Sequence, residues 1–418
     1  MRLTVFQAGK GDCLLLTTND GKRMLIDGGM RSDYRKHVAP ALADLASQGA
    51  ALDVVYVSHI DRDHIAGVLQ LMDDLVDWRH FDFQQERGNT RVKEPKRPRP
   101  PEVRQLWHNG FGELLDDDTR PVEDVLAMKA GLLEASVDTT EWADDHRELA
   151  ESVGEGIELS RRTAADQLGI PLNQDFGGHL ALVREAAQLI PFGSVQLTLI
   201  GPFSVDVDNL RDEWAAWLDK NAKALTRIRR EMQADSDRLA TDFDRLRAAL
   251  DFSDTELGQR ENVTVPNLAS LMFLADEGDR TMLLTGDGHH ADILKGLEHA
   301  GRIQPGGSLH VDVLKVQHHG SEHNLDPAFA KRITADQYIF CANGEHKNPD
   351  RRIVQTILDS RAGDDRKFEL HFNSSSAVTE GDQAHMREIE GLANAAANDS
   401  NGRIQCHFLD GSSFDLTI

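Results

Sequence analysis

Five short apolar runs in this 418-residue chain each stop at, or just before, a histidine or an aspartate. Residues 23–26 stop at Asp27, and residues 52–57 at Ser58-His59. Residues 281–284 stop at Thr285-Gly286-Asp287, residues 311–316 at Gln317-His318-His319, and residues 337–341 shortly before His346. Runs this short, rich in branched aliphatic residues and bounded by turn residues, read as buried strands. Polar groups at strand ends lie on connecting loops, which is where α/β folds place their sites. The pattern therefore constrains the chain to a β-rich α/β framework with imidazoles and carboxylates gathered at strand ends.

The rest of the framework follows the same grammar. Residues 3–7 and 13–18 are strands on either side of a glycine turn, and residues 19–22 form a hairpin into the 23–26 strand. Helical spacing runs over 34–49 and 65–76, and again over 290–300 and 349–358. Residues 195–200 and 268–275 are further strands, and 403–409 with 413–418 read as a β-pair around Asp410-Gly411. Two stretches interrupt this order, at about 84–190 and 205–260. Both read as polar and helical, apart from a Pro/Arg/Lys tract at 91–104 that is too proline-rich for a regular element. In the second stretch Trp214, Trp217, Leu218, Leu225, Ile228 and Met232 begin a long amphipathic stripe.

Apolar residues make up 40% of the chain, enough for a sizeable core. A net charge of −24 argues against broad, non-specific binding to nucleic acid. It leaves room for a local basic groove, or for metal ions that supply the positive charge. Cys13, Cys341 and Cys406 are odd in number and lack metal or redox spacing, so they read as reduced, mostly buried thiols. With no leader pattern and no apolar window long enough to span a bilayer, the expected location is cytoplasmic, with no membrane partner.

His59-Ile60-Asp61-Arg62-Asp63-His64 places four potential metal ligands within six residues, directly after a strand. Imidazole with carboxylate suits Zn, Mn or Fe. The competing reading is a polar loop in which Asp61 and Asp63 cap a helix. Asp287 alone reads better as a turn aspartate, and His346 alone as a solvated loop histidine. Adjacent histidines at a strand end, His318 and His319, are harder to explain by packing. A binuclear site needs ligands from several loops and one bridging carboxylate, and this chain supplies that inventory in order.

Taken together, several motifs resemble the metallo-β-lactamase superfamily. They are Gln7-Ala8-Gly9-Lys10-Gly11-Asp12, Leu25-Ile26-Asp27-Gly28-Gly29, the His59–His64 run, Leu284-Thr285-Gly286-Asp287, Lys315-Val316-Gln317-His318-His319-Gly320-Ser321, and His346. Asp61, where most members carry His, and Asn267-x-x-Ser270 are similar to the ComEC-like branch, here in a stand-alone form without a membrane channel. The resemblance covers about 1–83, 193–204 and 262–418. It implies an α/β, four-layer αββα sandwich spanning 1–418, with large helical insertions at about 84–190 and 205–260.

It also implies two divalent metal ions, Zn or Mn. His59, Asp61 and one of His318 and His319 would hold one ion. Asp63, His64 and His346 would hold the other, with Asp287 bridging. Asp12 and Asp27 would lie behind the ligands or simply form turns. The implied activity is hydrolysis by a metal-activated water. Asp63 would orient that water, and the spare histidine (His318 or His319) or Lys315 would stabilise the leaving oxygen. Lys315 reads equally as a surface lysine at a strand end.

Phosphodiester hydrolysis of nucleic acid or a nucleotide is the first reading of substrate. The tract from Arg87 to Arg99 is the basic patch that would steer a strand, although such runs are commonly solvated loops. A small-molecule ester, cyclic nucleotide or lactone is the second reading. The third is a different class, an effector module whose helical inserts bind a protein partner.

Overall fold

The computed structural model describes residues 1–109, 155–156, 158–205 and 269–418. The expected insert at 205–260 therefore lies almost wholly outside the described residues, as do 110–154 of the first. In chain order the strands are β1 (Arg2–Phe6), β2 (Leu14–Thr17), β3 (Arg23–Ile26), β4 (Val54–Tyr56), β5 (Leu106–Trp107), β6 (Leu189–Phe192) and β7 (Val195–Gly201), followed by β8 (Met272–Glu277), β9 (Arg280–Leu284), β10 (Leu309–Lys315), β11 (Ile333–Phe340), β12 (Phe368–Phe372), β13 (Ile404–Phe408) and β14 (Ser413–Thr417). The main helices are α1 (Ala39–Ser47), α2 (Arg62–Glu86), α3 (His290–His299), α4 (Pro327–Arg332), α5 (Arg351–Ser360) and α6 (Gln383–Asp399).

The strands make two mixed sheets. One runs β14-β1-β2-β3-β4-β5, and the other β13-β12-β11-β10-β9-β8-β7-β6. In the first sheet β1 to β3 and β14 pair antiparallel, while β4 and β5 join parallel to β3. In the second, β9 to β13 are parallel and β6 to β9 antiparallel.

Period-two alternation sorts the side chains. Leu14, Leu16, Met24, Ile26, Val54 and Tyr56 of the first sheet meet Phe273, Ala275, Met282 and Leu284 of the second in one core. The alternate residues Leu15, Leu25 and Val55 pack on Leu42 of α1 and on Ile65, Val68 and Leu71 of α2. Met272, Leu274 and Leu283 face Ile293 and Leu297 of α3, with Phe329, Ile353 and Ile389 from the following helices. Strands covered on both faces explain why these runs read as nearly continuous apolar segments.

Three readings need correction. The expected β-pair at the C-terminus does not form. β13 pairs parallel with β12 in the second sheet, and β14 pairs antiparallel with β1 in the first. The Asp410-Gly411 turn carries the chain between sheets, because both neighbours have long-range partners that a local turn signal does not reveal. The 84–190 insert is not largely helical where it is described. Residues 87–105 have no regular helix, Leu106–Trp107 extends the first sheet, and a short helical segment covers 158–163. Finally, α2 begins at Arg62 and runs to Glu86, well beyond the expected 65–76.

The second half of α2 persists because the proline-rich tract lies along it. Arg97 pairs with Asp74 and Asp77, and its carbonyl accepts from the Trp78 indole at 3.1 Å. Arg99 grips Asp82 through two bonds of 2.7 Å while its guanidinium lies over the Trp78 ring. Arg87 lies over Phe83. Much of the charge in the tract is thus engaged with α2.

Candidate metal centre

The site is built where strands of both sheets end. After β3, Asp27 takes a left-handed φ of 56°. Its carboxylate accepts from Ser58 N and Ser58 Oγ, each at 2.7 Å, and from His64 Nδ1 at 2.9 Å. After β4, His59 is buried and Asp61 occupies the N-cap position of α2 without a side-chain capping bond. Capping therefore does not account for Asp61, whose Oδ2 lies 3.4 Å from His59 Nε2. Gly11 and Gly28 let the β1 and β3 loops press against this helix start. A Cβ on Gly11 would sit 1.7 Å from Asp63 O, and one on Gly28 2.3 Å from Val68 N.

From the second sheet, β9 delivers Asp287 through Thr285-Gly286, and Asp287 N reaches Ser270 Oγ at 3.4 Å. β10 delivers Lys315 and then His318 and His319. Both histidines are left-handed, with φ of 47° and 56°. Such a conformation costs about 1–3 kcal/mol per residue outside glycine. His318 N→Gly286 O (3.2 Å) and Ser321 N→His318 O (2.8 Å) hold the turn, and the strain aims both rings at Asp287.

Asp287 Oδ2 is the hub. It lies 3.2 Å from His319 Nε2, 3.3 Å from His64 Nε2, 3.8 Å from His59 Nε2 and 3.8 Å from His318 Nε2. Asp63 Oδ2 is 3.2 Å from His319 Nε2, and Asp12 sits on the far side of that ring, 3.2 Å from Nδ1. The four histidines share one arrangement, in which Nδ1 is anchored and Nε2 converges. His319 Nδ1 donates to Cys341 O at 2.8 Å, and His64 Nδ1 to Asp27. Ser58 Oγ gives its proton to Asp27, so it accepts from His59 Nδ1 at 3.0 Å. Asn324 Nδ2 donates to Asp287 O, which turns its Oδ1 toward His318 Nδ1 at 2.6 Å. Each anchor leaves the Nε2 lone pair for the centre, which is how metal-binding histidines are oriented by the groups behind them. His59 Nε2 is buried with no hydrogen-bond partner. The residues fit a divalent metal, and Asp12, His64, Asp287 and His319 alone place four donor atoms within 4.8 Å of one another.

Protonation in the metal-free centre reflects the same crowding. Burial opposes an imidazolium at His64 and at His319, but Asp287 outweighs it, aided by Asp27 and Asp63 at His64 and by Asp12 and Asp63 at His319. Both histidines are held well above the usual value. Burial would raise the Asp63 and Asp287 carboxyls, yet the facing histidines hold both far below the usual range. Burial lowers His318, against the pull of Asp287. Loading a metal must therefore expel the two imidazolium protons of His64 and His319. Metal affinity is expected to weaken as pH falls, with proton release measurable in weakly buffered titrations. The sign for folding is the reverse. Raised histidine values stabilise the metal-free protein below about pH 6.5, and that contribution is lost as pH rises through the folded values. The stability of chelator-treated protein should fall as pH rises through the folded values of these histidines; a Tm independent of pH above about 6.5 would contradict the ion-pair reading.

The structure brings together His59, Asp61, Asp63, His64, Asp287, His318 and His319, but it groups them differently from expectation. Both paired histidines face the hub. His319 joins Asp63 and His64, the side that the resemblance gives to His346, and His318 approaches Asp287. His346 is exposed, with Nε2 3.3 Å from Lys10 Nζ. Lys10 is near enough to help hold the Asp63 carboxyl down, so this pair forms a rim beside the centre. Lys315 is neither a surface lysine nor open to a leaving group. It is 1% exposed and forms ion pairs with Asp12 and with Asp287 Oδ1 (3.5 Å), while donating to Gly286 O at 3.0 Å. His318 spends its Nδ1 proton on Asn324, which makes Nε2 a ligand atom rather than a proton donor. Ser58, Asn324 and the Cys341 carbonyl were missed. Ser58 sits inside the motif, whereas nothing in the sequence marks the other two. All three cysteines are free thiols, Cys13 and Cys341 buried.

Residues 7–77 match the family model described as the metallo-beta-lactamase superfamily. That span runs from the end of β1 through most of α2 and includes Asp12, Asp27 and the His59–His64 run. No curated protein matches the chain. The match and the buried donor cluster together support a metal-dependent hydrolase of this superfamily on an α/β fold. Among the described residues no helix is long and apolar enough to cross a membrane.

Proposed function

We propose that this chain is a binuclear metal-dependent phosphodiesterase of the ComEC-like branch, acting on nucleotide-sized substrates from a four-layer αββα sandwich. The convergence of four anchored histidines on Asp287 Oδ2 carries this reading. His59, Asp61 and His318 would hold one Zn or Mn ion, and Asp63, His64 and His319 the other, with Asp287 between them. When bound, such ions lower the pKa of water and take up charge developing on an oxygen. The protein's own part is orientation. Asp63 stays ionised and faces the hub, where it can accept a hydrogen bond from an incoming water and so orient it.

Exposure defines the approach. The side chains of Asp61, His318 and Asp63 are 28%, 25% and 17% exposed, while His59, His64, His319 and Asp287 are at most 5% exposed. Substrate therefore meets the exposed edge of Asp61, His318 and Asp63, with the Lys10–His346 rim beside Asp63. That rim suits an anionic ester in a chain of net charge −24. The arginines of the 87–99 tract that pair with α2 are poorly placed to steer a long strand, which favours a nucleotide or a small diester over a polymer. The expected result is hydrolysis of bis-p-nitrophenyl phosphate and of dinucleotides with Mn or Zn, with kcat/KM flat as oligonucleotide length grows. A steep rise with length that collapses in salt would instead mark a strand reader. Hydrolysis of carboxylic esters or lactones without diester turnover would overturn the phosphodiesterase reading.

A further inference from the structure

A second cluster of ligand-type residues lies at the edge of the eight-stranded sheet and shares no residue with the centre described above. β13 is the edge strand, paired parallel with β12 so that His407 stands opposite His371. Phe368, Leu370 and Phe372 of β12 pack toward the helices, so Glu369 and His371 project from the opposite face. Phe414 of β14 stacks on the His371 ring there, with centroids 5.5 Å apart.

Three donor atoms meet on this face. Glu369 Oε2 lies 3.3 Å from His371 Nε2 and 2.9 Å from His407 Nε2. The His371 side chain is 5% exposed, and its Nε2 is buried without a hydrogen-bond partner. Burial, with His407 nearby, pushes its imidazole down to about 3, so it is neutral and keeps a lone pair at physiological pH. With metal–ligand bonds of about 2.0–2.2 Å, neighbouring donors on one ion stand roughly 2.9–3.5 Å apart in octahedral or tetrahedral geometry. Both measured separations fall in that range.

We propose that Glu369, His371 and His407 form a separate site for a zinc-type divalent ion, which clips the edge strand β13 to β12. Two imidazoles and a carboxylate suit this class of metal. The site is open on one side, since Glu369 and His407 are 38% and 47% exposed, leaving the remaining positions to water. The His371 and His407 rings are now nearly parallel, at 11°, so loading the ion tilts the half-exposed His407. Binding here also ties down an exposed sheet edge.

The test compares wild type with His407→Ala and Glu369→Gln, both at partly exposed positions. Each protein is titrated with zinc and then with cobalt as a spectroscopic probe. One fewer tightly bound equivalent in each variant is expected, together with loss of one component of the cobalt absorption and a smaller zinc-induced rise in Tm. Diester hydrolysis should be unchanged. Equal stoichiometry and identical cobalt spectra in all three proteins would overturn the site. Because the reading is a difference between variants, it holds whether or not the Asp287 centre is loaded. Asp287→Asn should retain the His407-dependent equivalent.

Discussion

Asp287→Asn is expected to lower kcat for bis-p-nitrophenyl phosphate on the order of a thousandfold, and to strip metal from the centre. The size follows from losing the bound ions, which would otherwise lower the pKa of water and take up charge developing on an oxygen. The amide side chain of this variant keeps the shape of the turn but offers no anion to four converging Nε2 atoms, and it cannot bridge. The fold should survive, because the hydrogen bond from Asn324 to the backbone carbonyl at position 287 and the Lys315–Asp12 pair both remain. Metal analysis and circular dichroism on the same sample separate loss of the centre from loss of the fold. Wild-type turnover in Asp287→Asn would reduce Asp287 to the turn residue that its local sequence also allows.

Lys315→Met should have the largest effect on stability, about 3–5 kcal/mol, read from urea denaturation of the metal-free protein. Lys315 raises no catalytic expectation once its surroundings are seen. It is the buried cation that balances Asp12 and Asp287, and those two carboxylates hold its ammonium well above the usual lysine value against the cost of burial. Methionine fills the same volume but strips the ammonium from Asp12 and Asp287, leaving Asp12 with the His319 ring as its facing cation. The loss should shrink when metal is added, because the ions replace the missing charge. A metal-free Lys315→Met protein as stable as wild type would show that the pair contributes nothing net, as some buried pairs do.

Much of this centre could be read from the chain because strands end in short loops, and a short loop leaves a ligand little freedom. The 23–26 strand is legible to the residue, and His59, Asp61, Asp63 and His64 stand out by their local spacing, whereas Asp287 stands out only in the company of the other motifs. What could not be read depends on distant partners. Lys315 sits in an apolar run, and only the folded positions of Asp12 and Asp287 decide that it points inward. His346 alone reads as a solvated loop histidine and only the resemblance makes it a ligand; in the fold it is exposed beside Lys10 of the β1 loop. The choice between His318 and His319 is not local either, since both rings face Asp287 and both adopt left-handed backbone. The Asn324 and Cys341 anchors carry no sequence mark, because any carbonyl oxygen serves. The β13–β14 pairing is not formed for the same reason, as a turn signal says nothing of β12, some 36 residues earlier, or of β1, at the other end of the chain. Helix α6 was a different omission. Met386, Ile389 and Ala393 carry helical spacing and are buried, but their alanine- and polar-rich setting makes a thin stripe.

The most direct test of the binuclear centre is elemental analysis paired with diester hydrolysis, on His407→Ala protein and the same protein carrying Asp63→Ala. With the edge cluster removed, about two divalent ions per chain are predicted, with turnover that disappears in the Asp63→Ala form. A metal-free protein that stays inert after addition of Zn or Mn would contradict the catalytic reading of the Asp287 cluster.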